Sequence, residues 1–467
     1  MRTSVFLGCV SCLAMGVGCS PSSSENGGDA GTDASATFDS GGTDSGNVDA
    51  GNCTLPATIA ANMTLTTACP VWHVTANGTT VAGSASPVLT IDPGVTVAFD
   101  KGGFLSIGTS MPGGIHAVGT SGMGITFTSS ATPHAAGDWS AVALGDQVLS
   151  NSTIAYAAFQ YGSGATSQGK SSSQDGYTYG EPAGALIVYS ASQSLALVLH
   201  DLTFSHDGGN GLVVDGFNVG FGSGSGNLTV SDWGTGFAPF VLAANQASTL
   251  PATLTAQGGV VDLIAGQGAP GTPIGGAAPI ALTQTWPAIP IPYLVDGTNP
   301  GSGGGAFIEG ANNSVATLTI AAPNTLEFKS TGQLAVDPNG TAQGELVAIG
   351  TQSAPITFTS NLAAPAAGAW GGVSFTAVGS ALASSKLQSV TIEWAGDATL
   401  VGMGETAVIY ISASAAASGP VISGCNIENY PATVCGIVYP SAWVTPPSPG
   451  YGSPNNTFTG TNTVCAP

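Results

Sequence analysis

Apolar and polar residues alternate in short runs along most of the chain, and glycine, asparagine, serine or proline bounds each run. A period of two is typical of β-strands that bury one face, and these runs are rich in valine, isoleucine, threonine and leucine. No long stretch has the i, i+3, i+4, i+7 apolar spacing of a surface helix, and 69 glycines and 29 prolines favour turns. The pattern predicts an all-β protein with strands at residues 95–99, 105–107, 125–128, 185–189, 202–204, 212–214, 407–411 and 437–439.

Two stretches of the chain repeat the same order of residues. The first contains Leu89-Thr90-Ile91, Phe99, Leu105, Ala117-Val118-Gly119-Thr120, Ile125-Thr126-Phe127-Thr128-Ser129 and Gly137-Asp138-Trp139. The second contains Leu318-Thr319-Ile320, Phe328, Leu334, Ala348-Ile349-Gly350-Thr351, Ile356-Thr357-Phe358-Thr359-Ser360 and Gly368-Ala369-Trp370. Similar strands that recur in one order predict stacked parallel coils rather than the hairpins of a β-sandwich. In such coils Ile125, Phe127, Ile356 and Phe358 point inward and stack on their counterparts.

The similarity continues after the two tryptophans. Residues 149–156 align with residues 387–394, which places Tyr156 opposite Trp394, and residues 202–205 align with residues 425–428. This order of motifs resembles the right-handed parallel β-helix modules of bacterial surface lipoproteins, which are similar in outline to pectin-lyase-type solenoids. The resemblance covers roughly residues 69–214 and 293–465 and implies a solenoid of two tandem similar modules.

The motifs divide the chain into a first module at residues 52–236, a connecting region at 237–292 and a second module at 293–467. Proline has no N–H to donate to a neighbouring strand, so we expect the connecting region to form loops or edge strands. Its prolines include Pro251, Pro270, Pro273, Pro279, Pro287, Pro290 and Pro292.

The first 19 residues have the order of an export signal, with Arg2 followed by an apolar run and small residues. The run ends in Gly16-Val17-Gly18-Cys19, which resembles the lipobox of bacterial lipoproteins, although a lipobox usually has leucine where Gly16 stands. The resemblance implies lipidation of Cys19 and a location at the outer membrane or cell surface; a simple secretory signal is the alternative. Residues 20–51 are rich in glycine, serine and aspartate and predict a disordered acidic tether.

Charge restricts the partners. The chain has a net charge of −21, and only Lys101, Lys170, Lys329 and Lys386 supply positive charge after the signal. Phosphate binding needs clustered Lys or Arg, so the sequence argues against nucleic acid and, by the same reasoning, against anionic polysaccharide. The expected partners are a neutral polysaccharide or another surface protein, and the expected membrane contact is the lipid anchor alone.

Five cysteines remain after Cys19: Cys53, Cys69, Cys425, Cys435 and Cys465. Export favours disulfides, and an odd number leaves one free thiol. We expect Cys53 to pair with Cys69 and favour Cys425 with Cys435, while a Cys435–Cys465 pair is the alternative. No cysteine or histidine spacing is typical of a zinc site.

Trp139 and Trp370 occupy matched positions in the two repeats. An exposed indole can stack on a sugar ring, whereas a position conserved between repeats is most simply a packing position. Tyr156 and Trp394 have the same two interpretations.

The densest group of acidic and imidazole side chains is His200, Asp201, His206, Asp207 and Asp215. Paired carboxylates would suit glycoside hydrolysis, and a polar turn at the end of a strand is the structural alternative. His200 and His206 lack a third metal ligand, so the sequence predicts no metal site and no cofactor.

The expected function is therefore that of a non-enzymatic, surface-anchored scaffold: an adhesin, a matrix component or a glycan-contact protein. The alternative is a carbohydrate-active β-helix enzyme on a neutral polysaccharide, with Asp201, Asp207 and Asp215 as its candidate carboxylates.

Overall fold

The computed structural model describes residues 53–164, 183–264, 278–295, 304–310, 314–330, 332–338, 343–376, 384–397, 407–412, 419–439 and 450–465. Cys19, the signal and the tether lie outside these residues. Residues 48–467 form one compact unit.

The described residues contain 37 short strands and a 3₁₀ helix, η1 (Ala244–Thr249). The first strands are β1 (Thr58–Ile59), β2 (Met63–Leu65), β3 (Trp72–Val74), β4 (Thr79–Val81), β5 (Val88–Ile91), β6 (Thr96–Phe99), β7 (Leu105–Ile107), β8 (Gly114–Val118), β9 (Ile125–Ser129), β10 (Val142–Leu144), β11 (Thr153–Gln160) and β12 (Gly184–Tyr189). They are followed by β13 (Leu195–Ser205), β14 (Asn210–Asp215), β15 (Val219–Phe221), β16 (Gly226–Val230), β17 (Phe240–Ala243), β18 (Leu254–Thr255), β19 (Val261–Ile264), β20 (Ala278–Ile280), β21 (Gln284–Trp286), β22 (Tyr293–Val295), β23 (Gly304–Ile308) and β24 (Val315–Ile320). The last are β25 (Asn324–Phe328), β26 (Gly332–Val336), β27 (Gln343–Ile349), β28 (Ile356–Ser360), β29 (Gly372–Phe375), β30 (Lys386–Gln388), β31 (Val390–Glu393), β32 (Ala407–Ile411), β33 (Val421–Ser423), β34 (Asn426–Glu428), β35 (Cys435–Val438), β36 (Thr457–Phe458) and β37 (Val464–Cys465).

The named strands pair in parallel, and those inside each sheet pair with a strand of the preceding and of the following coil. One sheet has 14 strands in the order β1-β4-β7-β10-β12-β14-β17-β19-β22-β25-β28-β31-β34-β36. An 11-stranded sheet contains the series β18-β16-β13-β11-β8-β5-β2 and the series β3-β6-β9-β11. Two further sheets have the orders β20-β23-β26-β29-β32-β35-β37 and β21-β24-β27-β30-β33. The prediction of an all-β solenoid of parallel coils is confirmed.

Aromatic side chains stack inside the coils. Phe127 lies between Phe99 and Phe159, and its ring is parallel to that of Phe159 at 4.8 Å between centroids. Phe159 in turn stacks on Phe204 at 5.0 Å. These distances equal the spacing of neighbouring strands, because each inward ring sits directly above its counterpart. Ile125, Phe127, Ile356 and Phe358 are all buried, as predicted.

The connecting region differs from the prediction. Within residues 237–292, β17 and β19 are central strands of the 14-stranded sheet. The prolines do not prevent this, because none of them lies in β17 or β19. Pro279 does lie in a strand, but β20 is at the edge of its sheet, where a missing donor is tolerated.

The sheets of the solenoid form its faces, and the second repeat is shifted by one face relative to the first. By sequence, β25 and β28 of the second repeat correspond to β6 and β9 of the first, yet they continue the sheet formed by β7, β10 and β12. The 11-stranded sheet, which contains β6 and β9, stops at β18, and new sheets begin at β20 and β21, beside η1. Corresponding faces of the two repeats therefore lie on different sides of one continuous solenoid.

Disulfides close the two ends of the described fold. Cys53 pairs with Cys69 as predicted, and Cys435 pairs with Cys465. The favoured Cys425–Cys435 pair was wrong. Cys425 is the free thiol and points into the core, where its Sγ contacts the Leu387 carbonyl oxygen at 3.3 Å. Among the described helical residues, none forms a helix long and apolar enough to span a membrane.

Replacing Phe127 with alanine should lower the free energy of unfolding by about 3 to 5 kcal/mol, because it opens a cavity in the phenylalanine stack. Met123→Ala is the control, since Met123 is 56% exposed and its loss should change stability by less than about 0.5 kcal/mol. Chemical denaturation followed by circular dichroism measures the free energy of unfolding of each variant and of the wild-type protein. Equal midpoints for the two variants would contradict the interior stack.

Candidate functional site

The two long strands of the first half bend at residues in the left-handed backbone region. Tyr156 in β11 has φ 51°, and Asp201 in β13 has φ 54°. Asn227 in β16, with φ 53°, follows them in the next coil by strand register. Positive φ is uncommon for residues other than glycine, and three in register mark a sharp corner along the solenoid. We call this line the first corner.

A second corner lies five residues further along the chain. Tyr161 and His206 have φ 64° and 58°, and they are neighbours in adjacent coils. Their rings stack at 5.0 Å, and the His134 ring lies on the other side of Tyr161 at 4.8 Å. His134 and His206 are exposed, so this corner presents a column of three aromatic rings to solvent.

Between the two corners, each coil contributes four residues that alternate inward and outward. The inward side chains continue the phenylalanine stack, and the outward side chains form a mostly polar surface. We call this surface the threonine face; it consists of Thr126, Thr128, Ala158, Gln160, Thr203, Ser205, Thr229 and Ser231. All eight are exposed or partly exposed, and none carries a charge. The face therefore offers hydroxyl and amide groups at the regular spacing of the coils, about 4.8 Å.

Hydrogen bonds fix the first corner at the edge of this face. His200 Nδ1 and Asp201 Oδ2 are 2.7 Å apart, and Asn227 donates to Asp201 Oδ1 at 3.0 Å. The hydrogen bond with His200 is the main cause that lowers the pKa of Asp201. The Tyr156 ring meets the His200 ring edge-on at 5.2 Å. Thus both edges of the threonine face carry a tyrosine and a histidine.

The corresponding face of the second half is acidic. Its outward side chains are Thr325, Glu327, Thr357, Thr359, Thr391, Glu393, Asn426 and Glu428. Thr359 donates a hydrogen bond to Glu393 at 2.8 Å, and partial burial raises the pKa of Glu327. Here Glu393 and Glu428 stand where the first half has Gln160 and Ser205. We call it the acidic face.

The strand register corrects the alignment after the tryptophans. Ala117 pairs with Ile154, and its counterpart Ala348 pairs with Leu387. Tyr156 therefore corresponds to Ser389, with φ 52°, and not to Trp394. Trp394, with φ 64°, corresponds to Tyr161 at the second corner. The alignment of residues 149–156 with 387–394 was wrong because it matched residue types and missed a five-residue shift.

Trp139 and Trp370 are packing residues in the described structure, so their proposed stacking on a sugar is a prediction that the fold does not support. Both are 0% exposed, and they stack on Phe99 and Phe328 at 4.3 and 4.1 Å. Their indole N–H groups donate to the carbonyl oxygens of Gln160 and Glu393, each at 2.8 Å. Neither ring offers a free face to a ligand.

The three candidate carboxylates do not form one site. Asp201 lies at the first corner, Asp207 in the turn after β13, and Asp215 at the end of β14. Four residues of strand separate Asp201 from Ser205, roughly 13 Å, and β14 spans roughly 16 Å. Paired glycosidase carboxylates lie about 5 to 9.5 Å apart, so the strand lengths argue against such a pair among Asp201, Asp207 and Asp215. No group of three or more His, Cys, Asp or Glu within the described ranges is arranged to hold a metal ion.

Comparison with protein families, with curated proteins and with solved structures finds no significant match to this chain. The threonine face and its corners therefore carry the functional argument.

Asp207 is one of the candidate carboxylates of the sequence, and its burial is what the sequence did not indicate. It is 2% exposed, and burial, opposed by the Gly162 hydrogen bond and reinforced by the nearby Asp232 charge, raises its pKa to about 8. A carboxyl whose pKa is raised by folding contributes to stability below the unfolded pKa, about 3.9. This contribution is lost as the pH rises towards 8.

We therefore expect the stability of the wild-type protein to fall between pH 5 and 8 in a buffer with a chelator, and Asp207→Asn to flatten that slope. Urea denaturation at successive pH values measures the free energy of unfolding and its slope with pH. Asp201→Asn is the control, because Asp201 is partly exposed and its pKa is lowered, not raised. A wild-type slope that persists in Asp207→Asn would contradict the assignment.

Proposed function

We propose that this chain is an exported, lipid-anchored β-helical scaffold that contacts a neutral polysaccharide through the threonine face. The observation that carries the proposal is the uncharged surface between two corners that bear tyrosine and histidine rings. Hydroxyl and amide groups suit the hydroxyls of a glycan, and aromatic rings suit the apolar faces of sugar rings. A chain with a net charge of −21 would repel an anionic polymer, which favours a neutral one.

The repetition of the same outward groups along the face favours a contact role over catalysis. Catalytic and small-ligand sites are usually concave and bring polar groups together at one point. The threonine face instead repeats the same groups from coil to coil, so many weak contacts add up along an extended polymer. Its inward side chains are locked in the core, which keeps the outward groups in position without a ligand.

Transferring the carboxylates of the acidic face to the threonine face tests this proposal. Gln160→Glu with Ser205→Glu gives the threonine face the two carboxylates of Glu393 and Glu428. Both positions point outward, and glutamate is accommodated at the corresponding sites, so the fold should persist. We expect the dissociation constant for insoluble neutral polysaccharides, such as cellulose, chitin or mannan, to rise about tenfold, ~1.4 kcal/mol, because buried carboxylates lose water without gaining a cation.

The control is Thr357→Glu with Thr359→Glu, which adds the same number of carboxylates at outward positions of the acidic face. It should leave binding unchanged. If the wild-type protein binds none of the neutral polysaccharides, or if both double variants weaken binding equally, the threonine face is not the contact surface.

The anchor makes a separate prediction. The mature protein should begin at Cys19 and carry acyl chains, because the apolar run ends there. Intact-mass analysis of protein extracted from membranes with detergent measures both features, and Cys19→Ala should release the protein into the medium. A mature N-terminus at another residue, or an unmodified Cys19, would favour simple secretion.

A further inference from the structure

One outward position carries threonine in nearly every coil of the first half. The strand register joins residues of successive coils in one line along the solenoid: Thr96, Thr126, Ala158, Thr203, Thr229 and Thr255. We call this line the threonine ladder. It extends the threonine face by one coil at each end, and all its residues are exposed or partly exposed. Neighbouring coils are about 4.8 Å apart, so the ladder is roughly 24 Å long.

The hydroxyl groups of the ladder are not used by the protein. Within the part of the chain that the structure describes, none of the ladder threonines forms a side-chain hydrogen bond with another residue. Outward threonines elsewhere do form them: Thr317 donates to Glu345 and Thr359 donates to Glu393, both at 2.8 Å. A hydroxyl can donate one hydrogen bond and accept two, so each ladder threonine keeps this capacity for solvent or a ligand.

A second line of polar groups runs beside the ladder. Two residues further along the strands, the register continues through Thr128, Gln160, Ser205 and Ser231. Two residues of a strand span roughly 6.7 Å, so the two lines are separated by about that distance. The four central coils of the ladder therefore present polar groups in one or both lines, and none of these groups is charged.

The repeat along the ladder restricts the shape of a ligand that meets every coil. Such a ligand must be straight and must repeat about once per coil. A β-(1→4)-linked sugar chain is extended, advances per residue by about as much as one coil, and carries hydroxyl groups along both edges. An α-(1→4)-linked chain coils, and a branched chain leaves the line, so both lose this alignment after a few residues.

We propose that the threonine ladder binds an unbranched, neutral β-(1→4)-linked polysaccharide along the solenoid axis, with one sugar residue on each coil. This inference rests on the proposed contact function and adds the class, direction and length of the ligand. The length of the ladder accommodates about six sugar residues. Each further residue binds at the high effective concentration set by the residues already bound, so the contacts of successive coils add up.

Titration calorimetry of the full chain with cello-oligosaccharides and xylo-oligosaccharides of increasing length tests the alignment. We expect the dissociation constant to fall about threefold per added residue, because each new contact contributes about one hydrogen bond. The fall should level off at about six residues, where the ladder ends. Malto-oligosaccharides, which are α-(1→4)-linked, should show no comparable fall.

Threonine-to-valine variants remove a hydroxyl and keep a branched side chain that strands accept, so the fold should persist. Thr96→Val with Thr255→Val should move the plateau from about six residues to about four and leave tetrasaccharide binding unchanged. The matched control is Thr325→Val with Thr457→Val, at the two ends of the corresponding line on the acidic face, and it should titrate like the wild type. Ala158→Thr completes the ladder and should tighten hexasaccharide binding about threefold, a gain that unfolding cannot produce.

The outcomes separate the alignment from the contact function. Suppose that insoluble polysaccharides bind, but oligosaccharide binding does not depend on length or the Thr96→Val, Thr255→Val variant keeps the wild-type plateau. The alignment is then overturned, and the threonine face remains a contact surface. An equal fall with malto-oligosaccharides would likewise overturn it. If neither oligosaccharides nor polysaccharides bind, the contact function fails and the alignment fails with it.

Discussion

The stacking of each inward side chain on its counterpart in the next coil is the constraint on which the rest of this structure depends. Neighbouring parallel strands are about 4.8 Å apart, so the ring of Phe127 is confined between the rings of Phe99 and Phe159 from the adjacent coils. Trp139 stacks on Phe99, and its indole N–H donates a hydrogen bond to the Gln160 carbonyl oxygen. Because the interior is fixed in this way, the outward residues between two corners have fixed positions as well, and the threonine face is a direct product of the core.

The alternation of the sequence predicted the strands and their inward residues, and the repeated order of these strands predicted the parallel coils. In Ile125-Thr126-Phe127-Thr128 every second side chain is apolar, and both the strand and its buried face follow from that period. The corners were not predictable in the same way. Tyr156 and Ser389 share a left-handed backbone without sharing any chemistry, so their conformation comes from the geometry of the coil and not from the residue type. An alignment by residue type accordingly placed Tyr156 opposite the wrong partner.

The site was predictable only in part, for two physical reasons. Which outward residues become neighbours depends on strand register between residues far apart in the sequence, such as Gln160 and Ser205. Burial of a charged residue also has no sequence signal: aspartate is rarely fully buried, and nothing in His206-Asp207-Gly208 distinguishes it from an exposed turn. The disulfide choice failed for a related reason, because Cys425 is buried in the core, whereas β35, which begins at Cys435, pairs with the strand that carries Cys465.

The one-face offset between the two repeats determines what a single molecule can present at once. Had the repeats stacked in phase, the threonine face would run directly into Glu393 and Glu428, and one long surface would change from neutral to acidic along its length. The offset places the two surfaces on different sides instead. A polymer bound along the neutral side, as we propose, would leave the carboxylates of the other side hydrated and able to repel other anionic surfaces. Duplication followed by rotation has thus given one core two independent outer surfaces.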